Sequence, residues 1–140
     1  MIFHHTQSIM GKHAIIDLSG CDSDIMRDRE SILERLKQAA QIAKVTVVGH
    51  FEHYFSPEGY SAVLVLEESH LSIHTWPEYR YISLDLYSCN LETDFDAVEQ
   101  FLAQEFKATT VESQLLKRKF SPTPVSAPVS LVQRLMGRRC

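Results

Sequence analysis

A chain of 140 residues and 16.0 kDa has room for one compact domain. With 44% hydrophobic and 23% charged residues it has the composition of an ordinary globular protein, which excludes collagen-like, wholly disordered and transmembrane classes. The net charge of -4 hides an asymmetry: residues 1–116 carry 8 basic and 18 acidic side chains, residues 117–140 carry 6 basic and none acidic, so the body repels phosphate backbones, attracts cations and is not expected to bind nucleic acid.

The first eighteen residues show no cationic flank followed by an unbroken apolar stretch, and no apolar run approaches the roughly 18 residues that span a bilayer. A cytoplasmic protein without membrane contact is the expectation. Residues 13–18 (HAIIDL) read as a strand bounded by glycine and turn residues. Asp22, Ser23 or Asp24 can cap a helix whose apolar stripe is Ile25, Ile32, Leu33, Leu36, Ala39, Ala40 and Ala43. Residues 45–54 return to strand composition, residues 55–59 (FSPEG) are turn chemistry, and residues 61–66 (SAVLVL) form a buried strand. Residues 70–75 and 81–87 alternate polar and apolar side chains, as paired strands do. Asp94 caps a second helix with Phe95, Val98, Phe101, Leu102 and Phe106 on its apolar side, and residues 109–116 close the domain as a last strand. From Lys117 onward the Pro-rich, basic composition predicts a disordered tail, giving a domain of residues 1–116 and a tail of residues 117–140. The element order predicts an α+β fold, a two-layer sandwich with a largely antiparallel sheet and two helices packed on one face.

Cys21, Cys89 and Cys140 are an odd count without CxxC spacing, so a disulfide framework and a cysteine-rich zinc module are both disfavoured. The reactive side chains concentrate in residues 67–78 (EESHLSIHTWPE), directly after the buried strand. Polarity placed there is costly unless the groups pair or act. His50, His53, His70 and His74 invite a zinc reading, but His70 and His74 on one strand stand about 13 Å apart, so no metal is expected there. Ser69, His74 and Asp85 could name a hydrolase triad, yet no G-x-S-x-G elbow accompanies them. Taken singly, each histidine is most simply a satisfied polar residue at a strand end.

Taken together, Ser61, Glu68-Ser69-His70, His74-Thr75-Trp76-Pro77-Glu78 and Cys89 resemble the prokaryotic S-adenosylmethionine decarboxylase proenzyme family, whose members depend on a pyruvoyl group and serve spermidine and polyamine biosynthesis. The likeness runs from Gly11 to about Leu116 and is sharpest from Ser61 to Cys89.

The resemblance implies autocatalytic cleavage of a zymogen between Glu68 and Ser69, with Ser69 becoming the pyruvoyl group that forms a Schiff base with substrate. It makes His74 the proton acceptor of processing, Ser61 the hydroxyl that assists the oxyanion stage, and Cys89 the proton donor in turnover. It also implies that Phe55 stacks on the adenine of S-adenosylmethionine and that Glu78 binds its ribose. It further implies a homodimer of cleaved protomers, with two antiparallel sheets inside and helices outside. A sulfonium substrate suits the acidic body, as would a polyamine effector. Tyr60, Glu67 and Asn90 depart from the family's usual residues and are expected at the pocket wall. They leave ornithine or arginine as alternative substrates, and a non-processing binding or regulatory paralogue as a reading outside enzymes.

Overall fold

The structure, a computed structural model, describes residues 8–120. Strand β1 (Ser8–Ser19) leads into helices α1 (Ser23–Arg27) and α2 (Arg29–Ile42). Strands β2 (Val47–Tyr54), β3 (Tyr60–Leu66), β4 (Ser69–Trp76) and β5 (Tyr81–Ser88) follow, with a single 3-10 turn at Pro77–Tyr79 between the last two. Helix α3 (Phe95–Glu105) and strand β6 (Thr110–Phe120) complete the order. The six strands form one sheet in the order β2-β3-β4-β5-β1-β6, and every neighbouring pair is antiparallel.

Strand periodicity decides which side is covered. Ala14, Ile16 and Leu18 of β1, Leu64 of β3, Leu71 and Ile73 of β4, and Ile82, Leu84 and Leu86 of β5 point to one face and are buried. They pack with Ile32, Leu36, Ala39 and Ala40 of α2 and with Val98 and Leu102 of α3. The alternate positions form the other face, where Ile15, Phe51, Val63, Val65 and Trp76 remain exposed. The α+β two-layer expectation therefore describes the molecule, and one face of the sheet lies open.

Two boundaries differ from the sequence reading. The first helix is broken in two, because the Asp28 side chain turns back to accept the Ser31 N–H and takes an extended backbone (φ -84°, ψ 91°). A short carboxylate bonded to nearby amides competes with helix continuation. The last strand continues through residues 117–120, which the composition had placed in the tail. These residues pair with the start of β1, from Ser8↔Phe120 to Lys12↔Lys117. The rest of the expected tail, residues 121–140, lies outside the described residues. Among the described residues no helix is long and apolar enough to cross a membrane.

Gly20 marks a close approach between the end of β1 and Thr109, just before β6. It has φ +70°, and a Cβ there would meet Thr109 Oγ1 at 1.9 Å. Gly20→Ala is expected to cost about 2 kcal/mol or more from left-handed strain and the clash together. Chemical denaturation checks it, and an unchanged midpoint would contradict the close approach.

Candidate active site

The β3–β4 hairpin turns in only two residues, Glu67 and Glu68, with Leu66 opposite Ser69. Two-residue turns match the strand twist best with positive φ in the turn itself. Neither glutamate has it. Ser69 instead carries φ 156°, a value that L side chains seldom adopt. The turn is held from outside: Glu67 N–H donates to the Thr46 carbonyl at 3.0 Å, and Thr46 N–H donates to the Glu68 carboxylate at 3.0 Å.

The Glu68 carbonyl accepts two bonds from Cys89, one from its backbone N–H at 3.2 Å and one from its thiol at 3.1 Å. Cys89 reaches that place because it directly follows β5, whose Ser88 is opposite Ser69. Cys21 is a different kind of thiol. It lies in the core, and burial pushes its pKa up to about 11, which makes it unreactive. Cys140 lies outside the described residues.

Ser61 and His74 face each other across β3 and β4, with Ser61 Oγ and His74 Nδ1 2.7 Å apart. Both belong to the open face, as does Trp76, whose ring lies 6.3 Å from His74 and 5.3 Å from Tyr81. Phe55 stands at the same end of the sheet, half exposed and edge-on to His53 at 4.6 Å. Glu78 sits in the 3-10 turn after β4. The expected site residues thus fall into two groups, Glu68, Ser69 and Cys89 at one end of β4 and Ser61, His74, Phe55 and Glu78 towards the other. Five strand steps separate Ser69 from His74, about 16 Å at the usual rise.

One of the expected pocket-wall departures lies on the other face of the sheet, and another follows Cys89 directly. Tyr60 is 1% exposed on the helix side, where its hydroxyl donates to Glu52 at 2.6 Å. Burial first, then that carboxylate, push its pKa up. Asn90 is tied to the loop after β5, its N–H donating to Ser88 Oγ at 3.1 Å and its amide to the Lys44 carbonyl at 3.3 Å.

A further cluster was not assembled from the sequence. Asp85 Oδ2 accepts from His13 Nε2 at 2.7 Å and from His70 Nε2 at 2.8 Å, while Ser72 donates to Oδ1. Burial would raise the Asp85 pKa, but the bonds from Ser72, His70 and His13 outweigh it and hold the carboxyl below its ordinary value. Arg118 donates to His13 Nδ1 at 3.3 Å and lies 5.3 Å over the Tyr87 ring. The ligand-type atoms of His13, His70 and Asp85 lie within 4.8 Å of one another. The available signal was the shared period of two in residues 70–75 and 81–87, which places His70, Ser72, Asp85 and Tyr87 on one face.

The fold and most of the sequence are similar to those of known proteins. The family model described as S-adenosylmethionine decarboxylase matches residues 12–119. The S-adenosylmethionine decarboxylase proenzyme of Pyrococcus furiosus is 35% identical over 109 residues, covering 78% of each chain. Proenzyme 2 of Halalkalibacterium halodurans is 37% identical over 119 residues, or 85% of this chain and 94% of that one. The crystal structure of the adenosylmethionine decarboxylase from Aquifex aeolicus superposes with a TM-score of 0.73 at 28% identity, covering 86% of this chain and 99% of that chain. With sequence and fold agreeing over most of its length, the chain belongs to the S-adenosylmethionine decarboxylase family.

Proposed function

We propose that the chain cleaves itself between Glu68 and Ser69, converts Ser69 into a pyruvoyl group and then decarboxylates S-adenosylmethionine. The observation that carries this is the double hydrogen bond from Cys89 to the Glu68 carbonyl. That carbonyl belongs to the bond to be cut, and attack on it by Ser69 Oγ puts negative charge on the oxygen that Cys89 already holds. Donors set in advance where charge develops lower the barrier without reorganisation.

The sequence of bonds is then fixed by chemistry. Ser69 Oγ adds to the Glu68 carbonyl carbon, the C–N bond breaks, and the amide becomes an ester. Removal of the residue-69 α-proton expels the Glu68 carboxylate and leaves a dehydroalanine, which gains water and loses ammonia. The new keto group supplies an electron sink for the pair released when CO₂ leaves. The residues around Ser69 fit that chemistry. They bring a proton donor, Cys89, to the chain end.

His74 is suited to take the α-proton, since Ser61 fixes its Nδ1 and leaves Nε2 for exchange. At about 16 Å from Ser69 along β4 it cannot do so within its own chain. We therefore place the site between two copies that stack their open faces about a two-fold axis, with β4 strands antiparallel. The Ser61–His74 pair of one copy then serves Ser69 of the other, and the reverse holds by symmetry. The exposed Ile15, Phe51, Val63 and Val65 give that interface its apolar area. In the same half-site Phe55 offers a ring face to adenine and Glu78 a carboxylate to a ribose diol.

The test is an intact mass spectrum followed by CO₂ release from carboxyl-labelled S-adenosylmethionine, ornithine and arginine. Two chains and release from the sulfonium are expected; release only from an amino acid would overturn the substrate assignment. Cys89→Ser should lower decarboxylation about 10²- to 10³-fold, because it replaces the proton donor with a much weaker acid. Cleavage should be slowed less, since the Cys89 backbone N–H remains to hold the Glu68 oxygen.

A further inference from the structure

We propose that His70, through Asp85 and His13, is a positioning clamp that keeps the residue-69 chain end beside Cys89 after the Glu68–Ser69 bond is cut; the inference rests on the cleavage proposed above. The bonds that hold the turn are unevenly shared across that bond. Thr46 binds Glu67 and Glu68, and Cys89 binds the Glu68 carbonyl. All of these restrain the upstream side. Cutting the chain leaves them on the end of the 1–68 fragment.

On the downstream side, β4 would begin at a free end, paired to Leu66 and Ser88. Strand ends fray, and this one must hold a reacting group in place. The first side chain beyond residue 69 is His70, and it is anchored to Asp85 at 2.8 Å. Asp85 is itself immobilised by Ser72 from β4 and by His13 from β1 at 2.7 Å. The Asp85 contacts are made as hydrogen bonds: each Nε2–H donates to the carboxylate, and His13 Nδ1 accepts from Arg118 of β6. It joins β4, β5, β1 and β6 across the open face, so the chain end is tied to strands that cleavage does not touch.

His70→Leu removes the donor and His70→Gln retains one at similar reach. Both would be made in the natural chain and in a Ser69→Ala chain that stays whole. The expected result is that His70→Leu is cut as fully as the unaltered protein, by intact mass, while kcat falls about 10- to 100-fold and KM stays within about threefold. Amide exchange over residues 70–72 should rise about tenfold more in the cut protein than in the whole chain, and His70→Gln should recover most of both effects.

Equal exchange in cut and whole chains would make His70 merely structural and overturn the clamp. So would an unchanged kcat, or a loss in KM alone. Stoichiometric zinc in the purified protein, lost in His70→Leu, would overturn it in favour of a metal site on the same three ligands. An unaltered protein that stays whole would remove the clamp together with the cleavage reading, and the mass spectrum identifies that case before any variant is compared.

Discussion

Ser69→Ala is expected to remain a single chain and to release no CO₂, whereas the unaltered protein separates into residues 1–68 and 69–140. Alanine lacks the oxygen that must add to the Glu68 carbonyl, and the hydrogen bonds from Cys89 stabilise a charge that never forms. Removing the nucleophile of such a unit costs about 10⁴-fold or more. The fold itself should be indifferent. Ser69 is the first residue of β4, just after the turn; Leu71 and Ile73 further along the strand are the ones buried in the core, and the β3–β4 pairing does not depend on the Ser69 hydroxyl. An unchanged circular dichroism spectrum with a whole chain therefore assigns the loss to chemistry. A Ser69→Ala protein still cut at residue 68 would end the pyruvoyl reading, since no ester could have formed.

What was legible in the sequence is what short range decides. Asp22 and Asp94 cap the helices as expected, by accepting bonds from Ile25 and Ala97 N–H. The alternation in β4 and β5 gave their pairing and their two faces. What was not legible depends on partners far along the chain. Composition alone makes residues 117–120 a tail, and only their pairing with β1, over a hundred residues earlier, makes them a strand. Arg118 then becomes part of the His13–Asp85 network instead of a solvated charge. The position of Tyr60 was missed for a related reason: it neighbours Ser61, but a period of two sends it into the core while Ser61 faces outward. The separation of the site into two halves was in reach. The strand arithmetic that parts His70 from His74 also parts Ser69 from His74.

That separation makes a prediction with an all-or-none outcome. Ser69→Ala and His74→Ala proteins should each be uncut and inactive when made alone, yet co-expression of the two should restore both cleavage and turnover. In a mixed dimer, one site combines the two defects and stays dead. The other combines the intact Ser69 and Cys89 of the His74→Ala copy with the intact Ser61 and His74 of the Ser69→Ala copy. With random pairing half the dimers are mixed, and about a quarter of the unaltered site number should be recovered. Only the chain carrying His74→Ala should appear as fragments, because only it retains the serine that is attacked. Intact mass distinguishes the two chains by their substitutions. If processing ran within one chain, neither variant could help the other, and co-expression would yield two whole, inactive proteins. Restored cleavage of the His74→Ala chain would thus tie together the open apolar face, the Ser61–His74 bond at 2.7 Å and the distant Ser69–Cys89 pair as parts of one site shared between copies.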